Sequence, residues 1–355
     1  MKGISQMAVK NVTIYDIAEE ADVSPATVSR VLTGSANVRQ DKKKRVEELI
    51  QKYNFKPSAV ARSLTDTRRK LIGIIAADVR NVFYADVYVA CEIAADQLGY
   101  TVLLLNSFGI REMEKKQLDK LVEQRVDAVI HLGGAADDVV SNPDYVDHVR
   151  KVTGTIPVVT TGKLDGTSVY MVQIDAVKAM DLLLEHLVEN GNRRIAMVGG
   201  RYDVLSTHTK YDRFLERMKH YELDQRPEYT DNWGSYNIFT GQQTMDQLFD
   251  KLEKKGMEIP DAVIAINDQT AIGIMKSIQN HGYRVPEDIS VVSYDNIDLT
   301  KVVEPNITSI DYGFENFGKK LIQTAISAMD GIKPDKLQHI APKLIIRKSS
   351  DYKRA

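Results

Sequence analysis

The residues with the clearest chemistry lie between Thr13 and Leu32, in the stretch TIYDIAEEADVSPATVSRVL. Ala26, Thr27, Ser29 and Arg30 fall on one face of a short helical pattern whose other face is Val28, Val31 and Leu32. An exposed arginine can grip guanine O6 and N7 with two hydrogen bonds, and small hydroxyl side chains can reach bases or phosphates. Such a face suits a helix that enters the DNA major groove. Spacing alone equally permits an ordinary helical hairpin with a solvated polar face.

A second set stands at the ends of apolar strand-like runs: Ala77-Asp78, Leu132-Gly133-Gly134, Thr161-Gly162-Lys163, Gly199-Gly200-Arg201, Asn267-Asp268 and Tyr294-Asp295-Asn296. Small residues admit a ligand, and Asp, Asn and Lys can hydrogen-bond it. Phe83, Tyr84 and Tyr236 offer aromatic faces. Carboxylates and amides beside aromatic rings describe a sugar-like or nucleoside-like site better than a phosphate site. Turn formation alone also places Asp, Asn and Gly at strand ends.

Catalytic motifs are missing. The sequence has no GxxxxGK[ST] loop, no GxGxxG after a strand, no HExxH and no GxSxG. The seven histidines show no metal-ligand spacing, and Asp137-Asp138 are loop neighbours rather than an acid–base pair. An enzyme is disfavoured and no cofactor is expected. The single cysteine, Cys91, excludes an internal disulfide. With no signal-peptide pattern and no apolar run long enough to span a bilayer, a cytoplasmic protein without membrane attachment is expected.

The chemistry needs elements to hold it. Thr13 with Asp16 reads as a capping box opening one helix, and Ser24 with Pro25 opens the next. A third helix is expected over Gln40 to Tyr53, with a basic start at Lys42 to Arg45. Phe55-Lys56-Pro57 stops it, and Ser58 to Leu64 reads as a short linker helix. Residues 1–70 carry 14 Lys+Arg against 8 Asp+Glu, a balance of +6, and the other 285 residues carry 33 against 41, a balance of −8. A basic head favours phosphate contact and an acidic body opposes it. From Leu71 onward, apolar strands alternate with amphipathic helices, the pattern of parallel sheets covered on both faces. Helices are expected near Tyr84–Leu98, Arg111–Gln124, Lys178–Asn190, Arg213–Tyr221, Phe239–Lys255, Thr270–His281 and Phe314–Met329. Nearly 290 residues of this suits two similar lobes, with ligands at the strand C-termini.

This combination resembles the lactose/galactose-repressor (LacI/GalR) family of bacterial transcription regulators. The residues that carry the likeness are Val12-Thr-Ile-Tyr-Asp-Ile-Ala, Val23-Ser-Pro-Ala-Thr-Val-Ser-Arg-Val-Leu, Pro57-Ser-Ala-Val-Ala-Arg-Ser-Leu, Ile266-Asn-Asp-Gln-Thr-Ala-Ile-Gly and Val285-Pro-Glu-Asp-Ile-Ser-Val-Val-Ser-Tyr-Asp-Asn. The resemblance implies an α/β chain in three parts. A three-helix helix-turn-helix DNA-binding domain would span 9–56, and a hinge helix and linker 57–70. A two-lobed periplasmic-binding-protein-like body of doubly wound parallel sheets would span 71–355. Lobe 1 would take about 71–171 plus 302–331, and lobe 2 about 172–301 plus 332–355.

The family pattern further implies a homodimer on a pseudo-palindromic double-stranded DNA operator. Pro25, Ala26, Thr27, Ser29 and Arg30 would lie on the recognition helix. Thr13, Tyr15, Ser24, Asn37 and Val38 would touch backbone or nearby bases. Leu64 would wedge into the minor groove with Ala61 beside it. The effector cleft would use Phe83, Tyr84, Lys163, Ser206, Lys210, Tyr236, Asn267 and Asp295, with Asp295 and Asn267 on hydroxyls and Tyr236 stacking. Lys210 falls where many relatives carry arginine, and Gly162-Lys163 where Asp-Arg is frequent. The expected function is a repressor of carbohydrate-utilisation genes under a small sugar-like effector. The alternative is a regulator of the same family controlled mainly by a partner phosphoprotein, or a sugar-binding protein without a DNA role.

Overall fold

The computed structural model describes residues 12–32, 38–53, 55, 68–231 and 234–354. The chain divides into two compact units, at Arg69/Lys70.

In the first unit, helices α1 (Ile14–Glu20), α2 (Pro25–Leu32) and α3 (Gln40–Lys52) enclose Ile17, Ala18, Ala21, Val28, Val31 and Val46. The capping box is present: Asp16 N donates to Thr13 Oγ1 at 3.3 Å, and Thr13 N donates to Asp16 Oδ2 at 2.7 Å. Such a cap contributes about 1 kcal/mol, useful where the core is this small. Glu20 ties α1 to α3 through Lys52 (2.7 Å) and the Tyr53 hydroxyl (2.6 Å). The expected linker helix from Pro57 to Leu64 lies outside the described residues.

The second unit is α/β, as expected. Its elements in chain order begin with β1 (Leu71–Ala76), α4 (Val82–Gln97), β2 (Thr101–Asn106), α5 (Arg111–Glu123), β3 (Ala128–Leu132), α6 (Pro143–Thr153), β4 (Val158–Thr160) and β5 (Tyr170–Ile174). A second series follows: α7 (Ala176–Glu189), β6 (Ile195–Val198), α8 (Leu205–His220), β7 (Thr230–Asp231), α9 (Ile238–Lys254), β8 (Ala262–Ala265), α10 (Asp268–Asn280), β9 (Ser290–Asp295) and β10 (Thr308–Asp311). The last elements are α11 (Phe314–Met329), β11 (Leu337–Ile340) and β12 (Lys343–Ile345).

Two six-stranded sheets result. Their orders are β11-β5-β4-β3-β1-β2 and β12-β10-β9-β8-β6-β7, parallel throughout except for the β10–β12 pair. Each sheet reverses its winding once, between β1 and β3 in the first and between β6 and β8 in the second. Crevices open beyond the strand C-termini at such points.

The sheets part the chain differently from the expected lobe bounds. β10, within the 302–331 segment expected in lobe 1, pairs with β9 in the second sheet. β11, within 332–355, pairs with β5 in the first. Only α11 of the 302–331 segment packs on lobe 1, against α4 and strands β3 to β5. The chain therefore crosses between lobes near Asp175, near Tyr312-Gly313 and near Ala341-Pro342. Strand and helix patterning identifies elements; hydrogen-bond partners decide which sheet a short strand joins.

Helix α6 and strands β7, β11 and β12 add to the expected elements. Asn142-Pro143, a cap followed by proline at the first helical position, marks α6. Helix α8 begins at Leu205, eight residues before the expected Arg213. Its first two turns, Ser206-Thr207-His208-Thr209-Lys210, carry no apolar stripe because that face lines a cavity.

Candidate functional sites: an exposed helix face and an inter-lobe cavity

In the first unit, Ser24 Oγ accepts from Thr27 N at 3.2 Å and lies 2.9 Å from Thr27 Oγ1, so Ser24 starts α2 as expected. Ala26 and Arg30 are exposed, as are Thr13 and Ser24, and Tyr15 is 69% exposed. Thr27, Ser29, Pro25 and Val38 are half-buried, Thr27 because it turns back onto Ser24. Lys43, Lys44 and Arg45 at the start of α3 are exposed. Asn37, Ala61 and Leu64 lie outside the described residues.

In the second unit, a cavity of about 710 Å³ opens between the lobes at the strand C-termini. That is within the range of about 300–1,000 Å³ usual for ligand sites. Phe83, Tyr84, Ser206, Lys210, Tyr236, Asn267 and Asp295 line it, seven of the eight expected residues. Lys163 does not; its ammonium lies 3.1 Å from Asp165 Oδ2 instead. Its neighbour Gly162 does line the cavity, with no room for a side chain: a Cβ there would lie 1.8 Å from the Ala136 carbonyl oxygen. At Gly162-Lys163 the glycine backbone forms part of one wall, and the lysine ammonium pairs with Asp165 instead of lining the cavity.

The wall beside α4 is aromatic. Phe83 meets the rings of Tyr84, Tyr312, Phe314 and Phe317 at centroid distances of 5.2, 6.2, 5.9 and 6.5 Å. The Tyr84 hydroxyl reaches over Gly133, which adopts φ +71° and where a Cβ would sit 2.2 Å from that oxygen. The Tyr236 hydroxyl lies 2.9 Å from Thr207 Oγ1 and accepts from Arg201 N at 3.4 Å.

Asn267 is more engaged than expected. Its Oδ1 accepts from Thr270 N at 3.0 Å and its Nδ2 donates to the Tyr236 carbonyl at 3.0 Å. One lone pair and one N–H remain for a ligand. Asp295 is the opposite case: among the described residues, no side chain bonds its carboxylate. It holds φ 102°, a backbone state that persists only when surroundings fix it. Those surroundings are visible. Asn296 N donates to Ser309 Oγ at 3.0 Å, Ile297 N donates to Asp268 Oδ2 at 2.8 Å, and Arg347 Nη2 donates to Asn296 Oδ1 at 2.6 Å. Burial raises the Asp295 carboxyl above the usual carboxylate range, while Lys210 pulls it back. Burial and the Asp295 charge raise Asp268 in the same direction. Lys210 donates to the Ile266 carbonyl at 3.1 Å and lies 3.9 Å over the Tyr294 ring. Burial lowers its pKa against the attraction of Asp295, Asp137 and Asp268.

Asp137 is the lining residue that sequence reasoning missed. It ends the turn Gly134–Asp137 after β3 and accepts from Ser206 N at 3.1 Å and Ser206 Oγ at 2.7 Å, across the two lobes. Burial pushes its carboxyl up to about 6. Val139 N donates to the Asp203 carbonyl at 3.1 Å beside it. Asp138 turns away to Arg111 Nη2 at 2.9 Å. The strand-end rule applied to β3 reaches Gly134 and stops short; Asp137 arrives only because the following turn folds back. Gln173, at the end of β5, also lines the cavity. Among the described residues no group of three or more His, Cys, Asp or Glu could hold a metal ion. None of their helices is long and apolar enough to cross a membrane.

Residues 13–58 match the family model for bacterial regulatory proteins of the lacI family, and residues 184–350 match that of the periplasmic binding protein-like domain. Catabolite control protein A of Staphylococcus xylosus is 34% identical over 302 residues, covering 84% of this chain and 87% of that protein. The chain belongs to the lacI (LacI/GalR) family. This lacI-family protein is also 31% identical to catabolite control protein A of Priestia megaterium, over 84% of the chain and 87% of that protein. Among solved structures, the lac repressor dimer bound to operator and the anti-inducer ONPF superposes with a TM-score of 0.84. It is 26% identical and covers 96% of this chain and 99% of that one. The fold is shared too with the transcriptional regulator CelR in its cellobiose complex, at TM-score 0.69, 22% identity and coverage of 95% and 99%. The lacI-family chain is a DNA-binding transcriptional regulator, and its relatives are regulators rather than enzymes.

Proposed function

We propose that the chain is a homodimeric repressor acting in the cytoplasm on a pseudo-palindromic operator, and that a small polyhydroxylated, sugar-like effector in the inter-lobe cavity releases it. The observation that carries the effector reading is the pairing of an unbonded Asp295 carboxylate with an aromatic wall of Phe83 and Tyr84 in one cavity. Carboxylates accept sugar hydroxyls, and ring faces cover the apolar C–H face of a pyranose. Cellobiose, with which CelR forms its complex, is of this class.

The DNA reading assigns Arg30 and Ala26, both exposed, to base contact. Thr13, Tyr15, Ser24, Pro25, Thr27, Ser29 and Val38 position the helix; Asn37, Ala61 and Leu64 keep the roles given by the family resemblance. Effector contacts fall to Phe83, Tyr84, Ser206, Lys210, Tyr236, Asn267 and Asp295, with Asp137 added and Lys163 left out. Control through a partner phosphoprotein is the second reading, favoured by the relatives named catabolite control protein A; the formed aromatic cavity favours a small ligand.

The test is a titration on family-type palindromic DNA and on a scrambled duplex at one salt concentration. The expected result is tighter binding to the palindrome. Arg30→Ala should narrow that ratio by about 1–3 kcal/mol while leaving the salt slope nearly intact. Equal binding to both duplexes would end the operator reading.

A further inference from the structure

The cavity's charges and hydrogen-bond donors are arranged in a way that bears on which effector it accepts. Among the described lining residues, five are carboxylates and three are cations, a formal balance of −2. The two arginines are already paired with carboxylates, whereas Lys210 has no carboxylate within ion-pair distance among the described residues. Arg80 grips Asp78, with Nε at 3.0 Å from Oδ1 and Nη2 at 2.7 Å from Oδ2. Arg201 grips Asp203, with Nε at 3.0 Å from Oδ1. Lys210 bonds the Ile266 carbonyl and stacks on Tyr294.

Helix N-termini are the other usual source of anion binding, because their first N–H groups lack intrahelical partners. Four helices that start at the cavity each have one first-turn N–H taken by a side-chain cap. Asn81 accepts from Phe83 N in α4 (3.2 Å) and Asp175 from Lys178 N in α7 (2.9 Å). Asn237 accepts from Thr240 N in α9 (2.9 Å) and Asn267 from Thr270 N in α10 (3.0 Å). At α8 the donor, Ser206 N, faces Asp137 of the other lobe. Among the described residues, a phosphate entering this cavity meets no unpaired guanidinium and one unpaired ammonium, that of Lys210. Against it stand three carboxylates, Asp137, Asp175 and Asp295, which have no basic partner within ion-pair distance among the described residues.

We infer that the effector carries no negative charge: the cavity takes an unmodified sugar and rejects the same sugar bearing a phosphate or carboxylate. The inference rests on the sugar-effector reading above and sharpens it. Rejection comes from the repulsion of three carboxylates, offset by one ammonium, in a poorly solvated site where like charges cost far more than in water. Asp137 is the specificity-determining residue, since it puts a carboxylate where α8 would otherwise present its N-terminal donors.

The experiment is a thermal-shift screen of the full chain against glucose, galactose, maltose, lactose and cellobiose. Titration calorimetry follows on any sugar that raises the melting temperature, on its 6-phosphate, on its uronate and on its 6-O-acetyl ester. The expected outcome is retained binding of sugar and acetyl ester, with the phosphate and uronate weaker by about tenfold or more. Asp137→Asn should bring the phosphate's affinity closer to the sugar's. A phosphate or uronate that binds as tightly as the parent sugar would overturn the inference. So would equal loss of the acetyl ester and the phosphate, which would make bulk the cause. If no sugar of the panel raises the melting temperature, the sugar-effector reading itself falls. Asp137→Asn that melts like the parent chain but leaves the ratio unchanged removes Asp137 from the role.

Discussion

Asp137 of the first lobe and Ser206 of the second are joined by two hydrogen bonds, Oδ1 to the Ser206 amide at 3.1 Å and Oδ2 to its hydroxyl at 2.7 Å. The pair links the lobes at the cavity, apart from the three chain crossings. Both residues line the cavity, so an entering ligand would meet this contact between the lobes.

Ser206→Ala removes the hydroxyl arm of this clasp. A bond to a charged acceptor is worth about 1.5–3 kcal/mol when its partner is left wanting. The expected result is a sugar affinity weaker by roughly tenfold, with the body's melting temperature little changed because neither partner belongs to a core cluster. Calorimetry on parent and variant reads it. An unchanged affinity would show that the clasp does not bear on ligand binding.

The pH dependence of stability follows from the same carboxyl. Burial raises Asp137 from 3.8 in the unfolded reference to about 6 in the fold. Between those values the native state binds more protons than the unfolded chain, so stability falls as pH rises through that window. Asp268 and Asp295 are raised too and act with the same sign. Urea unfolding from pH 4 to 7 should show this decline, and Asp137→Asn should flatten part of it. A variant with the parent's slope would place the titration elsewhere.

Glu114 holds the turn that presents Asp137. Fully buried, it accepts from Ala135 N at 3.0 Å and Ser107 Oγ at 3.2 Å, with His131 Nε2 3.5 Å away. Glu114→Ala leaves buried donors unpaired, at a cost of about 1–3 kcal/mol, and frees the turn. Weaker sugar binding should accompany the lower melting temperature. Glu114→Gln, which keeps an acceptor, should recover most of the sugar affinity. If affinity stays constant while stability drops, Glu114 is a stability residue alone.

Ile17 is fully buried among the three helices of the first unit. Ile17→Ala should cost about 2–5 kcal/mol, a large share of what so small a core supplies. DNA binding should be lost while the second unit still melts cooperatively and still responds to sugar. Loss of both together would mean that the units do not fold separately.

Much of this was legible in the sequence because it rests on local rules. Thr13 with Asp16 and Ser24 before Pro25 marked the helix starts, and continuous apolar runs marked the parallel strands. The strand-end rule collected Asn267, Asp295 and the glycine-rich turns around the cavity. What was illegible depends on tertiary geometry. Lys163 follows a strand as Asp295 ends one, yet its ammonium pairs with Asp165 and does not line the cavity. Asp137 became a lining residue because a short turn doubles back toward α8. The first turns of α8 escaped notice since a helix that faces a cavity needs no apolar stripe there. β10 carried an ordinary strand pattern and β11 carried none that marked it, and only their pairing partners show which sheet each joins.

The most direct test of effector control follows the affinity for palindromic operator DNA, by fluorescence anisotropy at fixed salt, with and without a sugar shown to raise the chain's melting temperature. Linkage requires an effector that prefers the released state to weaken operator binding. The expected result is a drop of about 5–150-fold, abolished in Asp295→Ala, which no longer holds the sugar. A sugar that occupies the cavity and leaves operator affinity unchanged would contradict it.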